Sequence, residues 1–352
     1  MPNMTTADRK DSHLDLCATA EVEPAENRSL FECVRLVHCA LPELALTDLD
    51  TSAELFGKRL ALPLVLTGMT GGTERAAAVN RDLATLAERH GLAFGLGSQR
   101  AMAEEVATAD SYRVRSVAPT AVVVGNVGLR LAASVGIDGV RRLKDSIQAD
   151  GMALHLNAAQ ELTQPEGDRD FRGGYQLVER LAAALGDRLL VKETGCGLSG
   201  VVARRLANAG VKVLDVSGLG GTSWVRVEQL RAEGVSAEVG AELSGWGIPT
   251  AAALVSSRKA VPASVRLVAS GGLRTGLDAA KALALGADLV GMALPFFRAQ
   301  QSGGLAAAER VLEVVAASLR QALLLTGSRD VAELRSKSVV LLGELKDWLA
   351  AV

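Results

Sequence analysis

The stretch Arg266–Ala293, RLVASGGLRTGLDAAKALALGADLVGMA, decides the architecture. It opens on a continuous apolar run, Arg266–Ser270, turns at Gly271-Gly272, and continues in a helical pattern over Leu277–Leu285. Gly286 stops that helix, because a glycine just past a helix end adopts positive φ without penalty. A second apolar run, Asp288–Met292, follows. Runs that are apolar throughout, rather than at alternate positions, mark parallel strands buried on both faces. The stretch therefore reads as strand, glycine turn, helix, strand.

The same unit recurs along the chain. Six further runs lie at Pro63–Thr67, Leu92–Leu96, Ala121–Gly125, Met152–Leu156, Arg188–Glu193 and Val211–Val216. Helical patterns separate them: Thr73–His90 stops at Gly91, and Ser199–Ala209 carries a serine cap and stops at Gly210. Eight strands joined by right-handed crossovers count to a closed (β/α)8 TIM barrel. An open doubly wound sheet uses the same local pattern, but no GxGxxG follows an early strand. The expected organisation is one domain over 1–352: an N-terminal arm to 60, the barrel over 61–300, and helices packed outside it from 301 to 352. Ser223–Pro262 reads as extra helical material between the sixth and seventh strands.

With 352 residues the chain exceeds the roughly 250 a barrel of this kind needs. Aromatics are only 3%, so Ala, Val and Leu must build the core. A net charge of −2 gives no reason to expect nucleic acid or an anionic membrane as partner. Cys17, Cys33, Cys39 and Cys196 show no zinc-like spacing. With a polar N-terminus and no long apolar stretch, they read as reduced thiols of a cytoplasmic protein.

In a barrel the chemistry sits where strands end. Those positions carry Gly68-Met69-Thr70-Gly71-Gly72, then Gly97-Ser98-Gln99-Arg100, Asn126, and the group His155, Asn157, Gln160 and Glu161. They continue with Lys192-Glu193, Ser217–Trp224, Ser270–Arg274 and Gly291-Met292-Ala293. Barrels often hold phosphate at the loops after the seventh and eighth strands, on glycine backbone and a helix N-terminus. Gly271-Gly272 and Arg274 suit that use, although Gly-Gly also makes an ordinary tight turn. With Gly218, Gly220 and Gly221 after strand six and Lys192 facing inward, a phosphate-bearing cofactor is the better reading. Lys192 itself fits a Schiff base, an ion pair or a donor to a cofactor ring. Glu161 fits a helix-start carboxylate or a ligand for a hard cation such as Mg2+. Cys196 is a buried thiol more often than a nucleophile.

These residues resemble one family over nearly the whole chain, the type 2 isopentenyl-diphosphate isomerases. The matching blocks are Arg9-Lys10-Asp11-Ser12-His13, Val37-His38-Cys39-Ala40-Leu41-Pro42, Met69–Gly72 and Gly97–Gln99. His155–Glu161 with Pro165–Asp168 is the most specific of them, followed by Val191–Glu193, Asp215–Trp224, Ser270–Arg274 and Gly343–Leu345. The resemblance implies interconversion of isopentenyl and dimethylallyl diphosphate with reduced FMN and Mg2+, and NADPH as a source of electrons. FMN would contact Gly68, Met69, Thr70, Ser98, Asn126, Lys192, Ser217 and Thr222, with its phosphate at Gly271, Gly272, Leu273, Arg274, Met292 and Ala293. The substrate diphosphate would meet Arg9, Lys10, Ser98, Gln99, Arg100, His155, Asn157 and Gln160. Glu161 would hold Mg2+, and Gln160, Glu228 and His155 would serve the chemistry. The family also implies a homotetramer or homo-octamer. Ser12, Thr194 and Cys196 depart from the family pattern and leave open an enzyme with an altered phosphorylated substrate.

A rival α-hydroxy-acid oxidase would need a histidine base in a late loop. The histidines here are His13, His38, His90 and His155, none after the fourth strand. An inosine monophosphate dehydrogenase would need Cys196 as nucleophile. A non-enzymatic flavin-binding scaffold would not explain His155, Asn157, Gln160 and Glu161 together.

Overall fold

The computed structural model describes residues 6–23, 26 and 28–351. Residues 1–5, 24, 25 and 27 of the expected arm lie outside the described residues. Eight strands close into one parallel barrel: β1 Leu64–Leu66, β2 Ala93–Gly95, β3 Val122–Gly128, β4 Gly151–His155, β5 Leu189–Lys192, β6 Val213–Asp215, β7 Arg266–Ser270 and β8 Leu289–Met292. The β8–β1 pairing, with Val290 opposite Leu64 and Met292 opposite Leu66, shuts the ring and removes the open-sheet alternative. Every apolar run that reads as a strand is one.

Small side chains fill the barrel, among them Val65, Ala93, Val122, Ala153, Leu190, Val213 and Val268. The lower end is stoppered by a feature the sequence pattern does not announce. Strands Ala53–Leu55 and Lys58–Leu60 form a hairpin whose two-residue turn, Phe56-Gly57, has φ of 53° and 78°. Gly57 takes that conformation freely, whereas Phe56 is strained by it. Burial compensates: Phe56 is 4% exposed and joins the interior cluster with Leu55 and Leu60. Its ring lies so close to Gly151, at the start of β4, that a Cβ there would approach within 2.2 Å.

Helices ring the barrel, and the expected ones form with the expected caps. Glu74–His90 starts on Thr73 and stops at Gly91, which has φ 61°. Thr73 Oγ1 accepts from Ala76 N at 3.1 Å and donates to Asp11 Oδ1 at 2.8 Å. One hydroxyl thus caps a barrel helix and ties down the N-terminal helix Thr6–Thr19. Thr73→Ala should cost about 1 kcal/mol of stability, the usual worth of such a cap. Chemical denaturation would measure it, and an unchanged midpoint would show that the cap contributes nothing.

The arm is integral to the core, with Leu14, Cys17 and Val22 all buried in the main cluster. Its strand Val34–Leu36 pairs antiparallel with Val339–Leu341, so the expected all-helical tail contains a strand. Helix Leu294–Leu325 runs through the expected boundary at 300 and kinks at Gly303-Gly304. Between β6 and β7 stand three helices, Trp224–Gln229, Gly234–Glu242 and Thr250–Ala260. No helix among the described residues is long and apolar enough to cross a membrane.

Candidate active site

A cavity of about 750 Å3 opens at the C-terminal ends of the strands. Of the residues singled out from sequence, it brings together Arg9, Lys10, Gly68, Met69, Ser98, Arg100, Asn126, His155, Asn157, Gln160, Glu161 and Lys192. Arg9 and Lys10 reach the cavity of their own chain, carried there by the helix Thr6–Thr19. Lys10 is 8% exposed, and burial together with the neighbouring Arg9 pulls its ammonium down to about 8, against the pull of Glu228.

His155 ends β4 and its protonation is set by its neighbours. Asn126 Nδ2 donates to the Leu96 carbonyl at 3.0 Å, which turns Asn126 Oδ1 toward His155 Nδ1 at 2.8 Å. Nδ1 therefore carries the hydrogen and Nε2 is the acceptor, an assignment made from the network. Burial, then Lys192 and Lys10, lower the imidazole to about 3. His155 is neutral in this site and donates to a diphosphate only after taking up a proton.

Glu228 anchors a polar row below the mouth. It is fully buried on the helix Trp224–Gln229. Its Oε1 faces His13 Nε2 at 3.0 Å and accepts from Gln160 Nε2 at 3.0 Å, while Oε2 accepts from Arg231 at 2.5 Å. Asn157 Nδ2 in turn donates to Gln160 Oε1 at 3.2 Å and to Glu161 Oε1 at 2.9 Å. Burial pushes Glu228 up, but His13, Gln160 and Arg231 outweigh it and hold the carboxyl below its ordinary range. Glu228 does not line the cavity; it reaches it through Gln160 and His13. Trp224, also in the lining, packs edge-on to His13 with ring centroids 5.3 Å apart. His13, Trp224 and Arg231 were given no role by the sequence. His13 and Trp224 lie inside the matched blocks, and Arg231 stands one turn after Glu228, which is the signal that could have found it.

Several expected site residues lie elsewhere. Gln99 is fully buried and spends its amide on structure, donating to the Leu143 carbonyl and accepting from Asn126 N, both at 3.0 Å. Thr70, Ser217, Thr222, Gly271, Gly272, Leu273, Arg274, Met292 and Ala293 are outside the cavity lining, at the ends of β1, β6, β7 and β8. There the two glycine loops touch backbone to backbone: a Cβ on Gly271 would lie 2.1 Å from the Gly218 carbonyl oxygen, and one on Gly221 2.6 Å from Gly272 N. The glycines thus serve packing of the loops as well as any ligand. Nor does the following helix present a bare N-terminus. Arg274 N and Thr275 N donate to Asp278 Oδ2, and Asp278 N to Thr275 Oγ1, a capping box.

The residues nonetheless fit a phosphate-bearing flavin and an anionic substrate. Arg274 is ion-paired to Glu23, with Arg298 3.6 Å from the same carboxylate, so an anion already stands between two guanidinium groups at the end of β7. Ser217, at the end of β6, holds φ of 37°, a strained value for a serine and of the kind found at ligand sites. Arg9 Nε, Thr70 Oγ1 and Gln164 Nε2 are buried without a hydrogen-bond partner. Such groups are costly unless a ligand satisfies them. Burial and Glu193 push the Cys196 thiol up to about 12, which disfavours the thiolate that a nucleophile needs.

A family model described as FMN-dependent dehydrogenase matches residues 6–120 and 156–341, and the chain belongs to that class of flavin-dependent barrels. Within the class it is 43% identical to an isopentenyl-diphosphate delta-isomerase of Metallosphaera sedula, across 98% of this chain and 95% of the relative. It is 45% identical to one from a Synechococcus strain, across 94% and 95%. The chain is a member of the isopentenyl-diphosphate delta-isomerase family. Among solved structures, a mandelate oxidase mutant with a monooxide FMN adduct matches with a TM-score of 0.66 and 20% identity, over 96% of this chain and 100% of that one. A mandelate oxidase with (S)-4-hydroxymandelic acid matches at 0.64 and 18%, over 96% and 99%. These likenesses concern the fold.

Proposed function

We propose that this chain interconverts isopentenyl and dimethylallyl diphosphate, with reduced FMN at the barrel mouth and Mg2+ on Glu161. The observation that carries the reading is the row Asn157–Gln160–Glu228–His13, whose Asn157, Gln160 and His13 share one cavity with the cations Arg9 and Lys10 in a chain from this family. Gly68, Met69, Ser98, Asn126 and Lys192 would hold the flavin ring, and Thr70, Ser217, Thr222, Gly271, Gly272, Leu273, Arg274, Met292 and Ala293 its other end. When bound in reduced form, the flavin supplies an electron-rich ring that steadies positive charge developing at a tertiary carbon.

The chain's own groups do the rest. Arg9, Lys10, Ser98, Arg100 and His155 bind the diphosphate; Gln99 supports them from behind by fixing Asn126. Glu161 uses its oxygens on Asn157 and on Asp168 N at 2.9 Å, which leaves lone pairs for a cation. Among the described residues no three His, Cys, Asp or Glu side chains converge as a metal site. Mg2+ would therefore be shared between Glu161 and the phosphate oxygens, its usual mode. Gln160, held from both sides by Asn157 and Glu228, places a neutral donor and acceptor near the alkene without adding charge. NADPH as reductant, a homotetramer or homo-octamer, and a cytoplasmic setting complete the reading.

The test is direct. Purified protein should turn yellow on binding oxidised FMN, and on addition of a reductant, Mg2+ and isopentenyl diphosphate should form dimethylallyl diphosphate by NMR. A protein that binds FMN but converts nothing would overturn the isomerase reading.

Lys10 adds a prediction with a pH sign. Its ammonium titrates near 8 in the free site, so substrate affinity should be full below that value and fall above it. The apparent KM should rise by up to about tenfold per pH unit on the alkaline side. Lys10→Met should have a high, flat KM over the same range. A wild-type KM that does not move between neutral and alkaline pH would remove Lys10 from diphosphate binding.

A further inference from the structure

The cavity is larger than the machinery just described. It runs outward past the strand ends, between the helices Leu129–Ser146, Gly174–Leu185 and Gly200–Asn208 that follow β3, β4 and β5. That outer lobe is walled by Leu129, Leu131, Phe171, Tyr175, Val202 and Leu206. It lies away from the ends of β6, β7 and β8, where the flavin's phosphate would go, so the proposed cofactor does not account for it.

The lobe and the diphosphate site are one continuous space. Arg9, Lys10, Arg100 and His155 stand at the inner end, and the aliphatic and aromatic wall begins beyond them. The acids near the junction are engaged: Asp168 lies 3.3 Å from Arg130, and Asp170 2.6 Å from Arg172. Tyr175 is itself backed by Arg205, whose guanidinium sits 3.6 Å from the ring centroid. Tyr175 is thus fixed in place from behind, and the polar residues that share the lining, Arg130, Ser134, Arg172, Gln176 and Arg180, are exposed and stand toward solvent, whereas Leu206 is buried and Leu129, Tyr175 and Val202 are half-buried.

A cationic end joined to an apolar channel matches one ligand chemistry: a diphosphate carrying a long hydrocarbon chain. We propose that this chain binds longer isoprenoid diphosphates non-productively, the head on the substrate's cations and the chain in the outer lobe. The inference rests on the isomerase reading for the head-group site. Such molecules arise from reactions that join five-carbon diphosphate units, the class of reaction that consumes this enzyme's product. Binding would therefore compete with substrate and report the supply of lengthened chains.

The probe is geranyl diphosphate, the ten-carbon allylic member of the class, compared with inorganic diphosphate on the FMN-loaded enzyme. Calorimetry should show the ten-carbon ligand binding tenfold or more tightly than inorganic diphosphate, since each buried methylene adds to affinity. It should also inhibit isomerisation competitively. Val202→Trp, which fills the lobe, should return its affinity to that of inorganic diphosphate while five-carbon turnover is unchanged. Ala133→Trp, at the exposed rim, provides a second block should Val202→Trp fail to fold. Equal affinity for both ligands, or affinity for the ten-carbon ligand that survives both blocks, would overturn the proposal. If isopentenyl diphosphate is not turned over but the chain-length effect and its block appear, the isomerase reading fails and the lobe stands. Turnover without a chain-length effect fails the lobe alone.

Discussion

Glu228→Gln should lower isomerase turnover by about 10²-fold, the usual cost of misplacing a group at the reacting centre, while FMN remains bound. The carboxylate faces three donors, on His13, Gln160 and Arg231, and is fully buried. A glutamine there keeps one acceptor oxygen and adds an NH2 group that faces donors. At least one buried donor and the Arg231 charge lose their partner, and Gln160 loses the hold that orients it. Since Glu228 acts through Gln160, the defect should appear in kcat more than in KM. A second readout separates this role from simple destabilisation. The folded carboxyl is held below its ordinary range, so its contribution to stability is present above the unfolded carboxylate's pKa and is lost as pH falls through the lower folded value. The wild type should therefore lose that contribution only in acid, and Glu228→Gln should lack that part of the acid transition. A variant with normal kcat would remove Glu228 from the machinery. Equal acid profiles would show that its carboxylate is not the stabilising anion.

The barrel was legible because its strands are buried on both faces. Continuous runs such as Leu64–Leu66 and Leu289–Met292 are as apolar as the two-sided burial demands, and glycines such as Gly91 and Gly286 mark the turns between helix and strand. Features that depend on contact between distant segments were not legible. Phe56-Gly57 looks like a loop until Gly151 is found beneath the phenyl ring. Val339–Leu341 becomes a strand only by meeting Val34–Leu36, some three hundred residues earlier in the chain.

Within the site, strand-end position was a good guide to which residues approach the mouth, and a poor guide to what each side chain does. Ser98 and Gln99 are adjacent at one strand end, yet Ser98 lines the cavity while Gln99 turns back to bind backbone. The tautomer of His155 depends on a carbonyl at Leu96 through Asn126, a relation no spacing encodes. Arg274 suited a phosphate from sequence, and the partner it has taken, Glu23, belongs to the N-terminal arm.

Glu193→Ala should destabilise the barrel by about 3 kcal/mol, the cost of leaving several backbone amide donors without their acceptor. In the sequence Glu193 looked like a possible ion-pair partner for Lys192. The structure gives it different work. Lys192 Nζ donates to the Glu193 backbone carbonyl at 2.7 Å, while the Glu193 side chain turns under the loop after β5. There one carboxylate oxygen accepts from the backbone of Thr194 at 2.6 Å, Gly195 at 2.7 Å, Cys196 at 2.5 Å and Gly197 at 3.1 Å. Those four amides are the skeleton of a loop that carries Thr194 into the cavity lining. Alanine leaves the Thr194, Gly195 and Cys196 amides without this acceptor in a half-buried place, while Gly197 N keeps the Ser217 carbonyl at 3.1 Å, and each unsatisfied donor is costly. Glutamine retains a carbonyl oxygen at the same distance along the side chain, so Glu193→Gln should recover most of the loss. Burial raises the Glu193 carboxyl despite the amides, so what the protonated form contributes is present below the ordinary carboxylate value and declines as pH rises through the folded one. Glu193→Gln, which cannot ionise, should be free of that decline. Urea titrations of the wild type and both variants across pH would measure all of this. If alanine and glutamine cost the same, the amides are not held by the side-chain oxygen, and the loop after β5 owes its shape to something else.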